Sequence, residues 1–211
     1  MTTYAFPTLA DSRLVNSLVV GLITNAKVSI SPLTGAIQKA ARGGQRWHFQ
    51  LALNNLQGND RALLQSFLAK LDGPVNDFTV HDHSYTRQGN VGGTPLVNGA
   101  SQTGSSLIID GCTGSITDWL MEGDQFSFTN GTFNELKIMT ADADTDSGGN
   151  TTLNFKPPIR ISPANNATIV TTDPLGEFYL ADNENGWNNK PGGSIMSDFN
   201  LNAIEKIVAG S

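Results

Sequence analysis

Charge is scarce in this chain of 211 residues: Asp, Glu, Lys and Arg together make up 15%, where about a quarter is usual in globular domains. The net charge of -6 argues against a nucleic-acid binder, because phosphate recognition needs clustered Lys and Arg. The one basic spot, Lys39, Arg42 and Arg46, is small. A single cysteine, Cys112, excludes an internal disulfide and a cysteine-based zinc cluster. No stretch approaches the roughly 20 apolar residues that span a bilayer as a helix, so no membrane partner is expected. The first residues, MTTYAFPTLADSR, lack a basic stretch followed by an apolar run, so no signal peptide is expected and synthesis in a cytoplasm is.

What is present favours β structure. There are 22 glycines, and Asn, Thr and Ser are abundant between short apolar runs. The most informative stretch runs from Gln45 to Asp82. Trp47, Phe49, Leu51 and Leu53 alternate with polar residues, which predicts a strand with one apolar face. Gly58 breaks it, and Asn59 is placed to cap a helix. Leu63, Leu64, Phe67, Leu68 and Leu71 then recur at helical spacing. Asp60 and Lys70 suit the two ends of the helix dipole, and Gly73-Pro74 stops the helix. Phe78 and Val80 begin another strand.

Upstream, Leu14, Leu18 and Leu22 fit a short helix, while Val19 to Ile23 equally fits a buried strand. Lys27 to Ser31 alternates, which predicts a strand with Val28 and Ile30 inward. Pro32 and Gly35 mark a turn, and Arg42-Gly43-Gly44 reads as a flexible or functional loop. Downstream, His83 to Gly104 reads as loop and domain boundary. Short strands with turns between them follow: Leu107–Ile109, Phe126–Phe128, Phe133–Thr140 after the Asn130-Gly131 turn, Leu153–Phe155 and Ala167–Thr172. Their spacing suits a small closed barrel or sandwich. After Phe178-Tyr-Leu180, residues 183–193 read as a polar loop around Trp187. The last strand, with Phe199, Leu201 and Ala203 alternating, needs a sheet to join. The economical solution returns it to the first domain. The fold class is therefore mainly β (α+β): a split β-sandwich or barrel domain with one helix, 1–87 and 175–211, and an inserted small OB-like barrel, 88–174.

The chemistry is sparse. His81-Asp82-His83 offers two imidazoles without an identifiable third metal ligand. Asp142, Asp144 and Asp146 start like a calcium loop, but Ser147 stands where glycine is needed and Leu153 where glutamate is. No glycine-flanked serine elbow or phosphate loop exists, and Cys112 has no neighbouring histidine in sequence. Asp118, Glu122 and Asp124 are a carboxylate set that any acidic chain supplies. No catalytic, cofactor-binding or metal-binding residue is assigned, and an enzyme is not expected. Trp119 and Trp187 are candidate carbohydrate contacts, since exposed indoles stack on sugars.

The order of these parts resembles the distal tail protein of long-tailed (siphovirus-type) bacteriophages, in the version with an inserted oligonucleotide/oligosaccharide-type barrel. The resemblance lies in Trp47-x-Phe-x-Leu51, the helix ending in Phe67-Leu-Ala-Lys-Leu-Asp-Gly73, and Phe78-Thr-Val80. It continues in Leu120-Met-Glu-Gly-Asp-Gln-Phe126, Glu135-Leu-Lys-Ile138, Leu153-Asn-Phe-Lys-Pro-Pro158 and Phe178-Tyr-Leu180. It covers nearly the whole chain through arrangement rather than through any one motif. It implies a virion protein, assembled in the host cytoplasm, that forms a homohexameric ring at the tail tip. That ring joins the tail tube protein to the baseplate hub protein and to fibre or receptor-binding parts, and DNA passes through its channel without specific binding. A long arm for holding a receptor-binding protein is not evident. Candidate subunit contacts are Arg42, Gly43 and Gly44 and the terminal strand at Phe199 and Leu201. The alternative is a carbohydrate-binding module acting through the barrel.

Overall fold

A computed structural model describes residues 1–10, 15–190 and 195–207. Leu14, residues 191–193 of the expected polar loop and residues 208–211 of the expected last domain segment lie outside these residues. The described chain is mainly β, with one helix and two sheets.

The first sheet has seven strands: β1 (Thr3–Ala5), β2 (Val15–Ile30), β3 (Ile37–Leu56), β4 (Asp77–His81), β11 (Leu175–Leu180), β12 (Trp187–Lys190) and β13 (Met196–Glu205). Its order is β1-β4-β11-β13-β3-β2, with β12 also on β13. Residues between β4 and β11 build the second sheet. It comprises β5 (Gly93–Val97), β6 (Ser106–Cys112), β7 (Gln125–Thr129), β8 (Asn134–Met139), β9 (Thr151–Lys156) and β10 (Ile169–Val170). The order is β10-β7-β8-β9-β6-β5. The two ends meet: Leu96 bridges Thr168, and Val97 N–H donates to Ala167 C=O at 2.9 Å. That contact nearly closes a barrel, which removes free edges.

The chain leaves the first sheet after β4 and re-enters through β11, and these strands are direct neighbours, Asp77 to His81 against Tyr179 to Leu175. The terminal strand β13 then fills the place between β11 and β3. Trp47, Phe49, Leu51 and Leu53 line the buried face of β3, as their alternation requires. Helix α1 (Gly58–Leu71) covers that face with Leu64, Phe67, Leu68 and Leu71, and Phe67 meets Phe78 edge-on at 5.5 Å. Leu63 faces solvent instead. The helix is not capped by Asn59: Gln57 is the N-cap and its side chain makes no cap bond. At the other end Asp72 takes the left-handed conformation (φ 51°) ahead of Gly73.

Several readings are corrected. Residues 15–30 form one strand, so the helical alternative fails where it is described. Val28 and Ile30 are not inward but exposed, at 55% and 64%. The stretch from His83 to Gly104 contains β5, and the polar loop around Trp187 contains β12. Both strands are short and poor in large apolar residues, so neither shows an apolar period.

Candidate interaction surface

β2 and β3 pair far beyond the rest of their sheet. β13 covers β3 only from His48 to Leu56, whereas β2 follows β3 out to Ile30 and Ile37. The outer part, Asn25–Ile30 against Ile37–Arg42, is a two-stranded ribbon with six paired rungs, about 20 Å long at strand rise. It ends in the turn 31–36, closed by Ser31 N–H on Ala36 C=O at 2.9 Å. Residues 24–30 and 32–44 are all exposed, and Ser31 at the turn is half-buried. This ribbon is a hairpin arm that the sequence reading, which expected a loop at residues 42–44, did not foresee.

Alternation gives the ribbon two unlike faces. Ala26, Val28, Ile30, Ile37 and Ala41 share one face with Lys39, while Asn25, Lys27, Ser29, Gln38 and Arg42 share the other. Ile37 is 58% exposed. A lone ribbon is marginal in water, and a solvent-facing apolar strip of this kind marks an interface. The whole 15–59 segment carries four cations (Lys27, Lys39, Arg42, Arg46) and no Asp or Glu, within a chain of net charge -6. Arg42-Gly43-Gly44 is not a loop: it lies inside β3, where Thr24 alone faces residues 43–45 between the pairs Asn25–Arg42 and Ile23–Arg46. Gly44 has φ +94° there, which glycine adopts at little cost. Such a bulge interrupts the ladder at the base of the ribbon and raises the local twist.

The other predicted contacts fall elsewhere. Phe199 and Leu201 are core residues of the first sheet, at 0% and 2% exposure, because β13 is an interior strand. Their side chains therefore offer no subunit surface. Trp119 is likewise removed as a carbohydrate contact: it is fully buried in the barrel, its indole N–H donating to Gly92 C=O at 3.0 Å. Trp187 is 40% exposed on β12 and leans over Phe199 at 5.9 Å. The two indoles thus do not form one binding face.

Four aspartates of the barrel hold its loops together. Asp124 accepts four hydrogen bonds within 3.2 Å: from Gln88 N–H and the Tyr85 hydroxyl on Oδ1, and from Gly89 N–H and Met121 N–H on Oδ2. Burial, first of all, pushes the Tyr85 phenol up to about 12. Gly89 crosses so closely that a Cβ would sit 2.6 Å from Trp119 C=O. In the loop 142–146, Asp142 accepts from Glu122 N–H at 2.7 Å and Asp144 from Asp118 N–H at 2.8 Å. Asp146 holds Gly148 and Asn150 N–H, both at 2.8 Å. These oxygens tie loops together, a use the sequence pattern could not distinguish from cation binding. Cys112 is buried, and burial raises its thiol to about 11.

His81 and His83 do come together, ring to ring at 4.1 Å, beside a cavity of about 480 Å³ lined also by Phe6, Leu9, Val80 and Leu175. Burial and then the His81 ring lower the His83 pKa, against Asp82 and Asp173. Among the described residues no group of three His, Cys, Asp or Glu side chains is placed to hold a metal.

A buried ionic cluster joins the barrel to the first sheet. Glu135 on β8 binds Lys137 at 2.7 Å, Asn130 at 2.6 Å, and the backbone N–H of Arg160 and Ile161 at 3.0 and 3.1 Å. Arg160 reaches across to Gln45 C=O and to Glu205 of β13, the latter at 3.4 Å. Glu205 also accepts from Trp47 N–H at 3.0 Å, and the Trp47 indole donates to Leu136 C=O at 2.8 Å. Burial lowers the Lys137 ammonium and raises the Glu205 carboxyl. Lys137, Glu135 and Glu205 are each 0% exposed, so the two bodies meet through a dry contact. Nothing in the local sequence pattern revealed this cluster, because its members come from four separate segments.

No protein-family model matches the chain, and no curated protein matches it. No helix among the described residues is long and apolar enough to cross a membrane.

Proposed function

We propose that the chain is a structural subunit of a bacteriophage tail tip that assembles as a homohexameric ring between tail tube and baseplate hub. On this reading it resides in the virion, is assembled in the host cytoplasm, and carries receptor-binding parts through its barrel. The observation that carries the proposal is the hairpin arm: a ribbon with exposed apolar side chains at the open edge of a sheet has its hydrogen-bonding groups and its apolar face free for another copy. A ring needs such a heterologous contact, one patch of each copy meeting a different patch of the next. The order of split sheet, single helix and inserted barrel supports the same reading. Light scattering behind a sizing column, over a range of concentrations, tests it. A hexamer that images as a ring is expected. A monomer at every concentration that binds glycans, and loses them with Trp187→Ala, would replace this reading with a carbohydrate-binding module.

A further inference from the structure

The arm is basic and half apolar, while the barrel is acidic. Residues 88–174 hold nine carboxylates and three cations, Lys137, Lys156 and Arg160, of which Lys137 is fully buried. At one end of the barrel, Glu122, Asp142 and Asp144 are exposed side by side, because Leu120 bridges Ala143 and the two loops exchange backbone hydrogen bonds. Among the described residues none of these three forms an ion pair with a cation, and none of Lys27, Lys39 and Arg42 forms one with a carboxylate. The arm's exposure on both faces means that its own barrel does not cover it.

We infer that the arm of one copy seats on the acidic loop end of the barrel of a second copy. The apolar face lies on the contact: Val28, Ile30 and Ile37 are buried along it and Lys39, on the same face, meets Glu122, Asp142 and Asp144, while Lys27 and Arg42, on the opposite face, add to the attraction across the thickness of the ribbon, about one Debye length. The inference rests on the ring reading and names the surfaces that meet. Charge complementarity selects the acidic barrel as the seat. The apolar face of the ribbon selects a protein rather than a nucleic acid, whose backbone offers only charge to such a face. Opposed charges of this kind steer encounter and fix register, so assembly should weaken as salt rises.

The test is a charge exchange in the full-length protein. One variant reverses the arm (Lys27→Glu, Lys39→Glu, Arg42→Glu). The other changes the seat (Glu122→Lys, Asp142→Asn, Asp144→Asn), keeping an acceptor at 142 and 144 for the loop amides. Melting curves confirm that both are folded. Light scattering then follows association from about 0.05 to about 0.5 M salt, where screening is substantial. Expected is at least a roughly tenfold loss of association for the arm variant, with recovery when the two variants are mixed. Wild-type assembly should fall over the same salt range. Assembly indifferent to salt and to arm reversal overturns the seat and leaves the ring standing. Loss without recovery on mixing also overturns the seat. A wild-type monomer at every concentration overturns both.

Discussion

His83 illustrates how burial sets a side chain's chemistry. Its pKa is lowered by burial first and by the His81 ring next, so the folded state takes up a proton less readily than the unfolded chain. Where the unfolded state binds more protons, stability rises with pH. Stability should therefore fall as pH drops below about 6.5, the ordinary histidine value, and level off below the folded-state pKa. Melting temperatures of wild type and His83→Gln between pH 7.5 and 5 check this, both pH values being about those that bracket histidine titration. The wild type should lose more than the variant. Trp119 makes the corresponding point for packing. Trp119→Ala should cost about 3–5 kcal/mol in urea unfolding, with Trp119→Phe recovering part of it. Either change should act on stability alone, because the indole is sealed in the barrel core.

At the scale of the element, the arm is separable from the fold. Val28, Ile30 and Ile37 face solvent in the single chain, so replacing all three by Thr keeps strand propensity and removes little burial. The expected cost is within about 0.5 kcal/mol per site in monomer stability, with self-association largely lost on the sizing column. The same substitutions placed inward at Phe49 or Leu51 would unfold the first sheet. Alternation reported both kinds of residue equally. It gives the period of a strand but not whether a partner covers the face. For Trp47 to Leu53 the helix and sheet supply that cover; for Val28 and Ile30 nothing in the single chain does.

At the scale of the molecule, the two bodies are joined by buried charge. Removing one partner leaves the other unpaired in a dry contact: Glu135→Ala strands Lys137 and should cost about 3–5 kcal/mol. Replacing both, Glu135→Gln with Lys137→Met, should be much milder, since the desolvation penalty of both charges is then avoided. Chemical denaturation of the two variants distinguishes these outcomes. Because the cluster ties the barrel to the first sheet, the single variant should also lose the self-association proposed above before it loses secondary structure, as sizing-column light scattering beside circular dichroism would read.

The sequence by itself determined the class of structure: alternating apolar residues from Trp47 to Leu53, one helical stripe, turn residues between short strands, and a final strand that had to return to a sheet. Those are local periods, set by backbone geometry, and they survive in the fold. Only the tertiary structure decided which residues were available for function. Burial turned Trp119, Phe199 and Leu201 from candidate surface into core, and the bulge at Gly43-Gly44 turned a supposed loop into the base of an arm. Exposure and charge proximity depend on which distant segments cover a residue, and no local pattern carries that information.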